Sequence, residues 1–394
     1  MQSVNCIYAI ASLYFILAAI QSAYILRRHA ALKKRQRECS EVQAGSHDPI
    51  SVVVFADSAN SDCLEKSIPA IMEQNHPDFE TIVVNSDSSA STDDILTRLT
   101  TRYPGLHSTF IPATSCNVSV RKLSATLGIK AAKHEIVVLT DADCIPQSGE
   151  WLNRMSRHFA DEATGLVIGY CHYRYANDTT SGHRYRAYDT VATDSHYLSS
   201  AIRGHAFRGD RRNIAIRKQL FFDNKGFSGT MNLKYGDDDI FVKELSRVTN
   251  VAVELSAEGM LEADYSNPAD HYDSDKTHRA FTLDRIKPAA SLPASIMTTA
   301  RYIFLILSIL LTGYASYSYL TNPAQWQFPA IIAGYSLFVY IVETIIFITA
   351  TRKIAMTLQA VKQFFTVPVF RFVRPFVNLY FRAKSKHTDN YTWE

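Results

Sequence analysis

The chain has 394 residues, of which 41 are Lys or Arg, 38 are Asp or Glu and 47% are hydrophobic. Its near-neutral balance hides an uneven distribution. No formal charge precedes Arg27 and none lies from Tyr302 to Val342, while Arg27–Glu38 and the stretch after Thr351 are basic, leaving 27 basic against 34 acidic residues in the middle. This pattern excludes a broad nucleic-acid-binding surface, a disordered chain and a small disulfide scaffold.

Cys6–Leu26 is an uncharged run long enough to cross a hydrocarbon layer. A cleaved leader would carry its basic residues ahead of the apolar run, whereas here RRHAALKKRQR follows it, so the segment reads as a retained anchor. The uncharged stretch Tyr302–Val342 is too long for one helix and holds the turn-forming TNPAQWQFP, so it predicts two spans, about 299–320 and 328–350. The basic cluster after the first span, Arg301, and Arg352–Lys353 share one side. The positive-inside rule then places the middle region and the tail in the cytoplasm, on an inner cell membrane that the chain crosses several times. Glu343 within the third span is functional, a helix-packing residue or an interfacial one. The expected layout is an anchor over 1–28, a basic juxtamembrane linker over 29–48, a catalytic-type domain over 49–290, paired spans over 299–350 and a basic amphipathic tail over 351–394, which either lies along the anionic inner surface or hangs loose from it. The six cysteines show neither CxxC nor zinc-ligand spacing.

Within the middle region, ISVVVFA (Ile50–Ala56), FETIVVN (Phe79–Asn85), HSTFIP (His107–Pro112) and EIVVLT (Glu135–Thr140) alternate with helical stretches at Cys63–Gln74, Ser91–Tyr103 and Val120–Lys133. The pattern predicts an α/β domain with a mostly parallel sheet covered on both faces, whose ligands bind at the carboxyl ends of the strands. The fourth strand runs directly into Asp141-Ala142-Asp143, two carboxylates on one turn that suit Mg²⁺ or Mn²⁺ beside a nucleoside diphosphate. Farther on, Gly236-Asp237-Asp238-Asp239 opens a helix. Three adjacent carboxylates exceed what a helix dipole needs, and crowding of like charges raises at least one pKa, which suits a general base. Between these motifs lies GHAFRGDRRN, whose Arg211 and Arg212 are either phosphate contacts or solvated surface arginines.

Taken together, the strand ending in DAD, the later GDDDIF and GHAFRGDRRNIAIRKQLFFDNKGF resemble a bacterial membrane-anchored glycosyltransferase of family 2 over about 48–285. The resemblance implies the GT-A fold, a nucleotide-sugar donor, a divalent metal and inversion at the anomeric carbon. Carried over by position, it implies Asp143 as metal ligand, Asp141 as metal or ribose contact, and one of Asp237 and Asp238 as the base. It also places Lys122 near the donor. The nucleotide edges depart from the family pattern. Asp57 is the only charge in ADSAN, the acid Asp87 follows Asn85 one place late, and the Gln-x-x-Arg-Trp signature is reduced to DKTHR, ending in Arg279. The implied partners are the lipid bilayer, the donor and a lipid-linked or glycan acceptor, with no nucleic acid, in surface polysaccharide or glycolipid synthesis. The drifted edges leave one alternative, a non-catalytic glycosyltransferase-like membrane subunit that binds a partner enzyme or lipid.

Overall fold

The computed structural model describes residues 2–41, 48–86, 89–111, 118–173, 180–263, 268–286, 292–361 and 365–386. The first four strands are β1 (Ile50–Ala56), β2 (Phe79–Asn85), β3 (Leu106–Phe110) and β4 (Ile136–Asp141). β5 (Cys144–Pro146), β6 (Thr164–Ile168), β7 (Cys171–Tyr173), β8 (Ile214–Arg217), β9 (Asn250–Val253) and β10 (Leu261–Ala263) follow. Seven of them form one sheet in the order β3-β2-β1-β4-β8-β6-β9, and β5-β10-β7 form a small second sheet. β1, β2, β3 and β4 run parallel, whereas β8 is antiparallel to both β4 and β6. All seven residues of β1 are buried, as expected of a strand covered on both faces.

Helices α1 (Gln2–Glu41), α2 (Leu64–Met72), α3 (Ala90–Arg102), α4 (Val120–Ala131), α5 (Trp151–Ser156) and α6 (Ser181–Ile202) precede α7 (Lys218–Asp223) and α8 (Ile240–Leu245). The chain then forms α9 (Pro268–Ile286), α10 (Leu292–Thr321), α11 (Gln327–Thr357) and α12 (Val367–Lys386). One core holds α4 against Val53, Val84 and Val137, and the other holds α2, α3 and α5 against Val52, Val54 and Val138. At Gly128 a Cβ would lie 2.3 Å from Val53 Cγ1, so the close seating of α4 on β1 requires glycine.

The expected linker over 29–48 is not a linker at its start. α1 continues unbroken to Glu41, about 60 Å at 1.5 Å per residue, because HAALKKRQRECSE contains no Gly or Pro and is rich in helix formers. Its extension docks on the domain: Arg35 Nε donates to the Val253 carbonyl at 2.7 Å, and the Cys39 carbonyl accepts from Arg157 at 2.5 Å. α11 likewise outruns its expected end, since Ala350, Ile354 and Ala355 are buried in the domain core. α1, α10 and α11 are each long and apolar enough to cross a membrane. They pack on one another through Tyr14, stacked on Phe304 at 4.5 Å and donating to the Ser336 carbonyl at 3.0 Å. Glu343 is a packing residue. Buried between these helices, it accepts from Arg301 at 2.9 Å and from Arg371 of α12 at 2.6 Å.

Candidate functional site

The register of the sheet gathers the expected donor residues at one edge. Ala56 pairs with Asn85 across β1 and β2, and Phe55 pairs with Asp141 across β1 and β4. Asp57, Asn85 and Asp141 therefore leave neighbouring strands at their carboxyl ends. Asp57 closes a turn by accepting from the Ala59 amide at 2.9 Å, and Asn85 is buried. Asp87 lies outside the described residues.

Asp141 and Asp143 are both buried at the end of β4. Asp141 pairs with Arg121 of α4 and stands 3.8 Å from Arg211. Asp143 has, among the described residues, no ion-pair partner, and its Oδ1 accepts only from the Cys144 thiol at 3.4 Å. Burial and the charge of Asp141 push its pKa up to about 6, against the pull of Arg212 and Arg211. A buried carboxylate made unfavourable by a neighbouring acid fits a hard divalent cation, which relieves that repulsion. The residues that can hold such an ion are thus Asp143 and, beside it, Asp141.

Across the site stands the acidic loop. Gly236 has φ +109°, and a Cβ there would lie 2.7 Å from Ile240 Cδ1, so the turn that aims the acids needs glycine. The three carboxylates have three different tasks. Asp239 is fully engaged: its Oδ1 accepts from the Ile240 amide at 2.7 Å as the cap of α8, while its Oδ2 accepts from Arg208 at 3.0 Å and from Thr282. Asp237 lies 3.4 Å from Arg121 Nε. Burial works to raise its pKa, but Arg121, Arg211 and Lys122 outweigh burial and hold the carboxylate ionised below its usual range. For Asp238, burial followed by the charges of Asp239 and Asp237 pushes the carboxyl up to about 8. Its side chain has no ion-pair or hydrogen-bond partner among the described residues, and only its carbonyl is fixed, by the Gly209 amide at 2.8 Å.

The structure moves several expected contacts. Lys122 does not face a donor. It is fully buried, and its ammonium gives its three protons to the carbonyls of Thr230, Leu233 and Tyr235 at 2.6, 3.0 and 2.9 Å, strapping down the loop that leads to Asp237. Burial lowers its pKa to about 8, against the raising effect of Asp237 and Asp239. The guanidinium facing the site from α4 belongs instead to Arg121, over the Phe55 ring at 3.9 Å. Helical spacing carries the signal: residues 122, 125 and 129 form the buried stripe of α4 and residue 121 falls off it.

Arg212 is likewise no free phosphate contact. It is buried, grips Asp210 at 2.7 and 3.0 Å, lies over the Tyr173 ring at 4.6 Å and approaches Asp275 at 3.9 Å. Arg211 is the arginine that reaches Asp141, with Asp275 at 4.0 Å on its other side. Arg279 is turned toward Asp194, at 3.5 Å. Asp275 was missed by sequence reasoning. It accepts from the Tyr173 hydroxyl at 2.6 Å, and although burial opposes it, Arg212, Arg211 and Arg279 hold its carboxyl well below the usual range.

A mostly parallel α/β sheet with an acid pair ending its fourth strand, and a second acid group opposite, defines a GT-A-type fold. Residues 51–232 match the family model described as Glycosyl transferase family 2, so the chain carries a family 2 glycosyltransferase domain. Among solved structures it is similar to the mannosyltransferase PcManGT from Pyrobaculum calidifontis in complex with GDP-Man and Mn²⁺. The TM-score is 0.50 at 15% identity, covering 85% of this chain and 98% of that one. TarS 1-349 of S. aureus aligns with a TM-score of 0.42 and 16% identity over 86% of this chain and 90% of that one. No curated protein matches the sequence significantly.

Proposed function

We propose that the protein is an inverting glycosyltransferase that moves a sugar from a nucleotide-sugar donor to a lipid-linked acceptor at the cytoplasmic face of a bacterial inner membrane. The observation that carries this reading is the unequal treatment of Asp237 and Asp238. One is held ionised by arginines, while the other has no ion-pair partner among the described residues and is pushed up to about 8, the kind of tuning that suits a general base. Asp238 takes the proton of the acceptor hydroxyl as its oxygen bonds to the anomeric carbon. The bond from that carbon to the donor's diphosphate oxygen breaks, and the nucleoside diphosphate leaves with the electron pair.

Asp57 and Asn85 border the nucleotide at the strand ends, and Arg121 and Arg211 place positive charge where the diphosphate departs. Asp143, with Asp141, would hold Mg²⁺ or Mn²⁺, whose charge neutralises that leaving group. Mn²⁺ and GDP-Man in the Pyrobaculum calidifontis mannosyltransferase support this class of donor and metal. Three long apolar helices support the membrane setting, and the basic residues at one end of them support the orientation.

The test is incubation of the purified protein with UDP-, GDP- and dTDP-sugars, Mn²⁺ and a lipid extract. Release of a nucleoside diphosphate with one donor is expected. No release with any donor, or restoration of a deletion strain by Asp143→Ala, would overturn the catalytic reading in favour of a non-catalytic membrane subunit.

A further inference from the structure

A partly enclosed cleft opens between α6 and α9, lined by Tyr173, Arg186, Tyr272, Asp275, Lys276 and Arg279. It adjoins the acids of the site, because Asp275 on its wall is the residue that faces Arg211. Its cations are not equivalent. Lys276 is shared with Asp189 at 2.7 Å and Arg279 with Asp194 at 3.5 Å. Arg186 is partly exposed and has, among the described residues, neither an ion-pair nor a hydrogen-bond partner. An unpaired guanidinium beside two further cations makes a site for an anion, and its planar fork matches phosphate oxygens in particular.

The surroundings indicate where such a phosphate comes from. α12 is fixed against this wall by Arg374, whose Nε donates to Asp189 at 2.6 Å and whose Nη2 donates to Thr193 at 2.9 Å. On its outer side Val369, Phe372, Phe376 and Leu379 are exposed, at helical spacing. Tyr302 of α10 donates to the Phe372 carbonyl at 3.1 Å and meets the Phe372 and Phe376 rings edge-on. The stripe thus runs on into the exposed apolar side of α10, and Arg382, Lys384 and Lys386 follow it. An apolar stripe continuous with a spanning helix and closed by cations belongs at the headgroup level of a bilayer.

We infer that this cleft receives the phosphate of a lipid-borne acceptor, with Arg186 as the cation that contacts it. The inference rests on the reading of the chain as a transferase acting on a lipid-linked acceptor. It assigns to Arg186 a binding role that the sequence motifs do not mark, and it puts the acceptor phosphate on the α9–α12 side of the acids, with the nucleotide at the strand ends.

The test uses the full-length protein in neutral detergent micelles, titrated with a polyprenyl phosphate and with the polyprenol of equal length. The phosphate lipid is expected to bind at least tenfold tighter. Arg186→Gln should abolish that preference without moving the thermal unfolding midpoint, and Arg186→Lys should retain part of it. Equal binding of the two lipids, or an undiminished preference in Arg186→Gln, overturns the inference. So does competitive displacement by UDP or GDP with Mn²⁺, which would assign the cleft to the donor. Inorganic phosphate binding as tightly as the lipid would make it a free-phosphate site and overturn the lipid assignment. Nucleoside diphosphate release is measured separately, so a failed transferase reading with intact lipid binding is distinguishable from the converse.

Discussion

Arg121 stands with its Nε 3.4 Å from the Oδ2 of Asp237 and pairs through Nη1 with Asp141, so one guanidinium bridges the two acid motifs. The bridge explains why adjacent carboxylates differ. Asp237 is held ionised by arginine, while Asp238 lies beyond the reach of that bridge and carries the cost of burial. Asp238→Asn should therefore lower kcat by about 10²–10⁴ and leave the donor dissociation constant nearly unchanged. Asp237→Asn should weaken donor binding as well, because Arg121 loses one of the two carboxylates that orient it. Steady-state kinetics with calorimetric donor titration separates the two, and equal effects on kcat would contradict the assignment.

The same electrostatics gives a pH dependence. A base is active when deprotonated, so kcat/KM for the acceptor should rise with pH up to about 8 and level off above it. The charge of Asp237 is one cause of the raised value, so the residual activity of Asp237→Asn should show its rise at lower pH than the wild type. A pH–rate profile of both proteins checks this, and an unmoved profile would reject Asp238 as the titrating group.

Much of this site was legible in the sequence, for identifiable reasons. Strand periodicity ended at Thr140, and the chemistry of Asp-x-Asp at a strand end did the rest. The charge pattern located all three long apolar helices, because Arg27, Arg301 and Arg352 bracket uncharged runs. Position within an element was harder to read. Lys122 and Arg121 are neighbours in sequence but lie about 100° apart around a helix, and only the 122-125-129 stripe shows which is buried. In the irregular loop before β8 there is no period to distinguish Arg211 from Arg212. Asp275 lay in a helix whose partners, Tyr173 and Arg211, come from distant segments, so nothing local marked it.

Lys122 should act on stability rather than on donor contact. Its ammonium satisfies three buried carbonyls, and Lys122→Met leaves those acceptors unpaired at a cost of roughly 3 kcal/mol. For a domain of this size that corresponds to a fall of about 6–12 °C in the unfolding midpoint. Differential scanning calorimetry of the purified variant measures it, and an unchanged midpoint would show that the strap is dispensable.

Removing the metal-side carboxylate should have a different signature. Asp143→Ala deletes the unpaired acid at the end of β4, so Mn²⁺ titration should show binding weakened by at least tenfold. The fold should persist, because Asp141 keeps Arg121 and Arg211. Unchanged Mn²⁺ affinity would remove Asp143 from the metal site.

Where α1 meets the domain, Glu254 is fully buried and accepts from Arg157 at 2.7 Å and from the Ser256 amide at 2.6 Å, with His158 Nε2 at 2.8 Å. Cys39 completes a group of three ligand-type side chains there. Burial raises the Glu254 pKa, yet His158 and Arg157 overcome it and hold the carboxyl at about 2. The folded value is depressed below the ordinary 4.5, so the ion pair stabilises fully above that pH and its contribution is lost as pH falls toward about 2. The shift corresponds to roughly 3 kcal/mol. Glu254→Gln should consequently unfold at a lower temperature than wild type at pH 7, and the gap should narrow between pH 4.5 and pH 2. Because Arg157 also holds the Cys39 carbonyl, the loss should free the end of α1 first, seen as faster amide exchange over residues 35–41. A gap that stays constant with pH, or exchange unchanged in that segment, would show that the pair does not secure α1 to the domain.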